Sequence, residues 1–145
     1  MFKKILYPTD FSDVSNKALK YIKQLKDGGA EKVIVLHVID HRGIQAFEQH
    51  ASPADFLKLE QALLEQASKQ LEPIEKELKK SGFKVKTRLE KGIPLREILR
   101  VEEEEKVSVI VIGSHGKSNL EEMFLGSVSE KVVRKCKNPI LIIKR

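Results

Sequence analysis

Residues 107–116 of this chain read Val-Ser-Val-Ile-Val-Ile-Gly-Ser-His-Gly. An apolar run of strand length ends here in a turn that contains Gly113 and Gly116. After nine intervening residues, Gly126 stands directly before Ser127. Glycine lets backbone N–H groups approach an anion closely, and a helix N-terminus offers unpaired N–H donors. The stretch therefore predicts a buried strand that leads into two anion-binding turns.

Four further segments of strand length, three of them apolar and one with alternating polar and apolar residues at 84–89, are separated by amphipathic stretches of helix length. The five predicted strands are residues 5–7, 33–39, 84–89, 107–112 and 140–143. Near-continuous apolar strands are typical of burial on both faces, and the alternation with helices is the pattern of βαβ units around a parallel sheet. The sequence predicts an α/β fold with one domain over residues 1–145.

The first two predicted helices have clear ends. The first spans residues 13–27 and stops at a glycine pair. The second begins at Ser52, which precedes a proline at the first helical position, and runs to residue 82, with a kink expected at Pro73. Between strand two and this helix, residues 41–51 are predicted to form a long loop, placed where an active-site lid could lie.

The last two predicted helices follow strands three and four. One begins at Pro94 and ends in four consecutive acids, residues 102–105, interpreted as a solvated face. The other opens with the capping box Ser127-Val128-Ser129-Glu130. A second capping box at residues 118–121 predicts a short helix or turn in the nine-residue spacer, which would hold the two glycine turns at a fixed separation.

Composition narrows the classes of protein. Lys and Arg number 27 against 21 Asp and Glu, a formal charge of +6, and interleaving of the two signs favours a solvated surface over a nucleic-acid stripe. No apolar run reaches membrane-spanning length and the first residues lack a secretory signal, so a soluble, cytoplasmic protein without membrane contact is expected. Cys136 is the single cysteine and is predicted to be a buried or half-buried thiol.

Several common phosphate motifs do not fit. A P-loop ending at Gly116-Lys117-Ser118 would need glycine at position 111, which is Val. Only Gly113 and Gly116 of a GxGxxG fingerprint are present, and they follow the fourth strand. A receiver domain would carry an aspartate at the end of strand three, where Leu89-Glu90-Lys91 stands instead.

The glycine spacing resembles the universal stress protein family, in its ATP-binding subgroup: Gly, two residues, Gly, nine residues, Gly, then Ser or Thr. Here these positions are Gly113, Gly116, Gly126 and Ser127. The opening stretch 4–12, the strand end 36–40, the 92–94 turn and the closing stretch 138–144 are also similar to family landmarks. The resemblance implies a Rossmann-like, adenine nucleotide alpha hydrolase-like fold of three α/β/α layers with a five-stranded parallel sheet in the order 3-2-1-4-5.

The resemblance also implies the site. Asp10 and the Val38 backbone would hold the adenine end, Gly113 and its neighbours the ribose and first phosphates, and the helix that starts near Ser127 the remaining phosphates. Two alternatives stay open, since Ser127 could simply cap its helix and Asp10 could simply shape a turn. The full set of implied binding residues is Pro8, Thr9, Asp10, Val38, Gly113, Ser114, His115, Gly116, Gly126, Ser127, Val128 and Ser129.

The implied ligand is ATP, with AMP or ADP as alternatives. The four histidines form no HxxxH pair, so no protein metal site is predicted, and Mg²⁺ or Mn²⁺ would enter with the phosphates. His115 lies inside the cradle and either contacts a phosphate or caps the loop.

Three functions remain open from the sequence. The first is an ATP-binding regulatory or stress-response module with slow or partner-dependent hydrolysis, because no catalytic base is evident. The second is an intrinsic ATPase or nucleotidyl-processing enzyme, and the third is a nucleotide-independent interaction module with an unidentified protein partner. The apolar strand Ile140 to Ile143 should lie at a sheet edge, and the resemblance implies a homodimer through it.

Overall fold

The computed structural model describes residues 1–115 and 126–145. Gly116 and the predicted capping box at 118–121 lie outside the described residues. The strands are β1 (Lys4–Pro8), β2 (Lys32–Asp40), β3 (Lys84–Gly92), β4 (Val109–Gly113) and β5 (Ile140–Ile143). The helices are α1 (Asp13–Leu25), α2 (His41–Glu48), α3 (Pro53–Lys80), α4 (Pro94–Glu105) and α5 (Ser127–Lys135).

The five strands form one parallel sheet in the order β3-β2-β1-β4-β5, which confirms the predicted order. Helical segments follow each of the strands β1 to β4 and return the chain to the edge of the sheet where the next strand begins, as parallel pairing requires. The order reverses between β1 and β4, so the connections from these two neighbouring strands leave in opposite directions. A crevice is expected to open outside their C-terminal ends.

Side chains that alternate along the central strands build two apolar layers, one on each face of the sheet. On one face Ile5, Tyr7, Val33, Val35, Val109 and Val111 pack against α1 and α3. On the other face Leu6, Ile34, Leu36, Ile110 and Ile112 pack against α4 and α5. This is the predicted α/β/α sandwich, and burial on both faces explains why the strands read as continuous apolar runs.

The predicted loop at residues 41–51 is wrong, because most of it is helix α2. The Asp40 carboxylate at the end of β2 accepts a hydrogen bond from the Arg42 N–H at 3.0 Å, so the strand's last residue supplies an oxygen acceptor to the first turn of α2. Ile44 is only 4% exposed. Burial of one apolar side chain and an acidic acceptor at the preceding strand end stabilise a helix that its sequence signals only weakly.

Proline at position 73 does not end its helix. α3 runs from Pro53 to Lys80 with Pro73 in its interior, and Ser52 caps it by accepting a hydrogen bond from the Asp55 N–H at 3.1 Å. The buried residues Leu71, Ile74 and Leu78 lie on either side of the proline and pack on the sheet. Tertiary packing therefore outweighs the local cost of the proline.

The acids at 102–105 are a solvated face only in part, because Glu103 and Glu104 are exposed whereas Glu102 is buried and Glu105 is half-buried. Glu102 is 4% exposed, and its Oε1 accepts hydrogen bonds at 2.8–2.9 Å from the Lys137 N–H, the Asn138 N–H and the Asn138 side-chain amide. Glu104 and Glu105 form ion pairs with Arg88 of β3. These partners offset the unfavourable position of four acids at a helix C-terminus.

The capping box predicted at Ser127-Val128-Ser129-Glu130 is also wrong. The N-cap of α5 is Gly126, Ser127 is the first helical residue, and among the described residues no side chain caps this end. The helix stops at Lys135 rather than carrying Cys136, which is half-buried at the C-cap. Burial raises the pKa of the Cys136 thiol, in keeping with the packed, unreactive thiol that the sequence predicts.

Candidate functional site

A cavity of about 570 Å³ opens at the C-terminal edge of the sheet, outside β1, β2 and β4. Its volume is in the range of sites that hold a small organic ligand. Ten of the twelve residues implied by the sequence line it: Pro8, Thr9, Asp10, Val38, Gly113, His115, Gly126, Ser127, Val128 and Ser129. The remaining two are Ser114, which is buried beside the cavity, and Gly116, which lies outside the described residues.

Ser114 ties three elements together behind the cavity wall. Its N–H donates to the Ile143 carbonyl of β5 at 2.8 Å, and its carbonyl accepts from the Gly126 N–H at 2.6 Å. Its hydroxyl lies 2.8 Å from Nδ1 of His115. Ser114 therefore fixes the loop after β4 and the start of α5, and its 2% exposure leaves the neighbouring residues to face the cavity.

Gly113 has a packing role. A Cβ atom at this position would lie 3.1 Å from Cγ1 of Val14 and 3.2 Å from the Ser15 nitrogen, closer than most Cβ contacts. The Gly113 carbonyl accepts a hydrogen bond from the Ser129 hydroxyl at 2.7 Å. A glycine here lets the end of β4 approach α1 on one side while it holds α5 on the other.

The N-terminus of α5 faces the cavity with its backbone donors. The Glu130 N–H makes the first helical hydrogen bond, to the Gly126 carbonyl, so the N–H groups of Ser127, Val128 and Ser129 have no acceptor within the helix. Ser127 is exposed, and its hydroxyl is one residue past the N-cap position. Three backbone donors at the positive end of a helix dipole form an anion-binding site.

A tight turn after β1 forms the opposite wall. Phe11 has a φ of 64°, in the left-handed region that non-glycine residues seldom adopt. The Phe11 N–H donates to Oγ1 of Thr9 and the Ser12 N–H donates to the Asp10 carboxylate, each at 3.0 Å. Asp10 thus shapes the turn, as its alternative interpretation expected, and also lines the cavity.

The turn rests on a buried chain of hydroxyl groups. The Ser15 hydroxyl donates to Oγ1 of Thr9 at 2.7 Å, and the Tyr7 hydroxyl donates to the Ser15 carbonyl at 2.6 Å. Burial raises the pKa of Tyr7, so its hydroxyl stays protonated and remains a donor. The strained turn at Phe11 is therefore anchored to the sheet core through Thr9 and Ser15.

Two histidines line the cavity in different settings. Nδ1 of His37 lies 2.8 Å from the Thr9 carbonyl, and its ring lies on that of Phe11 with centroids 4.5 Å apart. His115 has Nδ1 on Ser114, while its Nε2 is enclosed and has no hydrogen-bond partner among residues 1–115 and 126–145. An enclosed ring nitrogen without a protein partner is a group that a ligand can satisfy.

The other end of the cavity is apolar, and sequence reasoning missed it. Ile39, Ile44 and Leu63 line it from β2, α2 and α3. The lining residues Leu36, Ile98 and Ile112 continue the apolar surface toward α5, where Val128 packs against their cluster. Asp40 also lies here, and the hydrogen bonds from the Arg42 side chain hold the pKa of that carboxyl below its usual range. The strand ends carried a signal for Ile39 and Ile112, but the helix residues could be found only once the fold had brought them together.

The charged side chains among the described lining residues are acidic. Among the described lining residues there is no Lys or Arg, and the carboxylates are those of Asp10 and Asp40. The described part of the chain contains no group of three His, Cys, Asp or Glu side chains that could hold a metal ion. None of the described helices is long and apolar enough to cross a membrane.

Comparison with known proteins finds one family whose members are similar to this chain over nearly its whole length. The family model described as the universal stress protein family matches residues 1–144. Universal stress protein MJ0577 from Methanocaldococcus jannaschii is 46% identical over 156 residues, which cover 100% of this chain and 96% of the relative. Universal stress protein MJ0531 from the same organism is 31% identical, over 100% of this chain and 84% of the relative.

Solved structures with the same fold include that of MJ0577, with a TM-score of 0.90 and 48% identity over 100% of this chain and 97% of that one. A universal stress protein family protein from Arabidopsis thaliana was solved with AMP bound, and shares 20% identity at a TM-score of 0.69 over 99% of this chain and 92% of that one. A universal stress protein in complex with cAMP shares 22% identity at 0.61, over 99% and 97%. Matching family model, close relatives and shared architecture agree, and the chain belongs to the universal stress protein family.

Proposed function

We propose that this protein binds an adenine nucleotide, ATP in the first place, in the cavity at the sheet edge, and that it acts as a nucleotide-dependent regulatory or stress-response module. The observation that carries the proposal is the polarity of the cavity: apolar side chains of α2 and α3, Ile44 and Leu63, at one end and the uncapped start of α5 at the other. A nucleotide has the same polarity, with a flat base at one end and phosphates at the other.

The base would occupy the apolar end. Val38 and Asp10 line the walls there, and Ile44 of α2 closes it with a side chain that is already buried. A flat aromatic ring gains most from such burial, since about 25 cal/mol is gained for each Å² of apolar surface removed from water. The Val38 backbone and the Asp10 carboxylate would supply the polar contacts that orient the base.

The phosphates would lie against α5. The N–H groups of residues 127–129 point out of the first turn, and the Ser127 hydroxyl, which is not a cap, is free of that role. His115 offers an enclosed Nε2 beside them. A divalent cation, Mg²⁺ or Mn²⁺, would enter with the phosphates, because Mg²⁺ keeps water and substrate oxygens among its ligands.

Retention of ATP fits the described lining better than rapid cleavage. Phosphoryl transfer needs cationic groups on the transferred phosphate and a residue that positions the attacking water. The described lining holds no Lys or Arg, and its acids lie in the turn after β1 and at the end of β2. Hydrolysis would therefore be slow, or would require a partner protein to complete the site.

Dimerisation through β5 is part of the same proposal. In the described sheet β5 pairs with β4 and lies at the edge, and Leu141 is 37% exposed there. An open apolar edge strand tends to associate with a second copy.

The family supports the proposed nucleotide binding, since members with this fold are named as complexes with AMP and with cAMP.

The test is to identify what the purified protein carries and what it takes up. Native mass spectrometry of the protein as isolated is expected to show ATP or its hydrolysis products. Calorimetric titration of nucleotide-free protein is expected to give micromolar or tighter binding of ATP, weaker binding of AMP, and less than one turnover per hour in a phosphate-release assay. No retained nucleotide together with no heat on titration would refute the proposal, and rapid multiple turnover would make the protein an ATPase.

A further inference from the structure

A second depression lies between α1 and α3, on the face of the sheet opposite α4 and α5. Its volume is about 880 Å³, and both helices contribute to its walls. Its floor is apolar, because Leu19 and Ile74 line it and are 7% and 6% exposed. The proposed nucleotide function uses none of these side chains, so this α1–α3 groove requires its own explanation.

The walls of the α1–α3 groove carry an excess of positive charge. Lys20, Lys23 and Lys69 line it together with a single acid, Glu77. Glu77 forms an ion pair with Lys23. Lys20 and Lys69 are exposed and form no ion pair within the described parts of the chain. The groove therefore presents two uncompensated cations above an apolar floor.

Pro73 adds an unusual feature to the same wall. It is exposed, lines the groove, and lies in the interior of α3, where a proline costs about 3 kcal/mol relative to alanine. Proline has no N–H, so the helix cannot give the Lys69 carbonyl its usual partner four residues ahead. The wall thus contains a main-chain acceptor that lacks its usual helical partner.

The groove also lies next to the nucleotide cavity. Phe11 lines the groove, and its ring lies on that of His37, which lines the cavity. One pair of stacked rings therefore separates the two depressions. A partner seated in the groove would contact the same turn, residues 10–12, that forms a wall of the cavity.

We propose that the α1–α3 groove is the docking site for an acidic segment of a protein partner. Carboxylates of such a segment would meet Lys20 and Lys69, an apolar side chain would cover Leu19 and Ile74, and a backbone N–H would donate to the Lys69 carbonyl. A nucleic acid fits less well, because Glu77 interrupts the positive track that a run of phosphates would need. Lys20, Lys69, Leu19 and Ile74 do not line the nucleotide cavity, and Phe11 is the groove residue that contacts a cavity residue, His37.

The probe is a fluorescein-labelled peptide that repeats Glu-Glu-Leu-Glu three times, added to the full-length protein at low salt. Fluorescence anisotropy is expected to show saturable binding that weakens as salt rises, since the contacts are exposed ion pairs. Amide NMR shifts are expected to change at Phe11, Lys20 and Lys69. The double variant Lys20→Glu/Lys69→Glu is expected to raise the peptide Kd by about tenfold or more.

The matched control is Lys58→Glu/Lys131→Glu, at exposed helical positions outside the groove. Both double variants lower the formal charge from +6 to +2, so long-range attraction falls equally. Equal loss in the two variants, or no saturable binding, would overturn the proposal. Tighter binding of a twelve-nucleotide single-stranded DNA at the same residues would make the groove a nucleic-acid site and would also overturn it.

Pro73→Ala separates docking from structure. Alanine restores an N–H to the interior of α3, so the free energy of unfolding is expected to rise, while the Lys69 carbonyl gains an internal partner. Peptide affinity is expected to fall by about threefold to tenfold, the loss of one hydrogen bond. A variant that is more stable and binds the peptide as well as the parent protein would contradict the role given to this wall.

Discussion

Helices α1 and α5 begin in nearly the same way and end up with opposite chemistry at their N-termini. α1 starts Ser12-Asp13-Val14-Ser15 and α5 starts Gly126-Ser127-Val128-Ser129, each after a strand of the central pair β1 and β4. In both, the serine at the third helical position is buried and its hydroxyl donates back to the preceding strand end, to Thr9 Oγ1 or to the Gly113 carbonyl, at 2.7 Å.

The difference lies at the cap. The Ser12 hydroxyl accepts a hydrogen bond from the Ser15 N–H, and Asp13 adds a negative charge to the first turn of α1. α5 has Gly126 at the cap and an uncharged Ser127 behind it. One helix therefore satisfies its own positive end, whereas the other leaves three backbone donors toward the cavity. The comparison shows that the candidate ligand site depends on the missing side-chain cap of α5 as much as on its glycine.

The largest effect on stability and affinity is expected at Gly113, the β4 residue that contacts both helices. In Gly113→Val the new side chain would press on Val14 and on the Ser15 backbone and displace the carbonyl that holds Ser129. Overpacking of this kind costs about 1–3 kcal/mol, and nucleotide affinity should fall with it. Urea unfolding measures the free energy of unfolding, and calorimetric titration measures the nucleotide affinity.

The control is Gly43→Ala, where a Cβ meets nothing within 4 Å. It is expected to leave the free energy of unfolding unchanged or raised by about 1 kcal/mol. Equal stability of Gly113→Val and the parent would contradict the packing role.

A smaller effect is expected when α5 is given the charge that α1 has. Ser127→Asp places a carboxylate at the first helical position, which should stabilise the helix by about 0.3–1 kcal/mol. The same charge repels phosphates, so ATP affinity should fall by about tenfold or more. Affinity and stability are then expected to change in opposite directions.

Ser127→Asn is the matched control, because it has the same size without the charge. ATP titration and thermal unfolding of both variants separate charge from shape. If Asp and Asn reduced affinity equally, the N-terminus of α5 would not be where the phosphates bind. If neither reduced it, the nucleotide would lie elsewhere in the cavity.

Much of this fold was predictable, because its signals are local. Apolar runs located four of the strands and alternating residues located the third, and their alternation with amphipathic segments predicted the parallel sheet. Helix α2 was missed because Gly43 weakens its helix propensity and because its stabilising contacts are tertiary or lie before it. The Asp40 carboxylate accepts from the Arg42 N–H, and the Ile44 side chain is buried. A short helix that depends on tertiary contacts leaves little trace in its own sequence.

The part of the cavity lining that comes from the glycine-rich segment was predictable for a similar reason, and the apolar part was not. Gly113, Gly126 and Ser127 stand at fixed spacing in one segment, whereas Ile44, Leu63 and Ile98 come from three separate helices. Long-range bonds explain the other errors. Glu102 is buried because Lys137 and Asn138 donate to it from 35 and 36 residues away. Gly126 is the N-cap of α5, and its N–H donates to the Ser114 carbonyl twelve residues earlier, a contact that no local sequence pattern encodes.

The smallest effect tests the caps themselves, by the same truncation at both helices. Ser12→Ala removes the oxygen that accepts from the Ser15 N–H and should lower the free energy of unfolding by about 1 kcal/mol. Ser127→Ala should change it by less than about 0.5 kcal/mol, because this hydroxyl caps nothing among the described residues. Parallel urea unfolding without nucleotide measures both. Equal losses would mean that Ser127 acts as a cap in solution, and α5 would then resemble α1 in chemistry as well as in sequence.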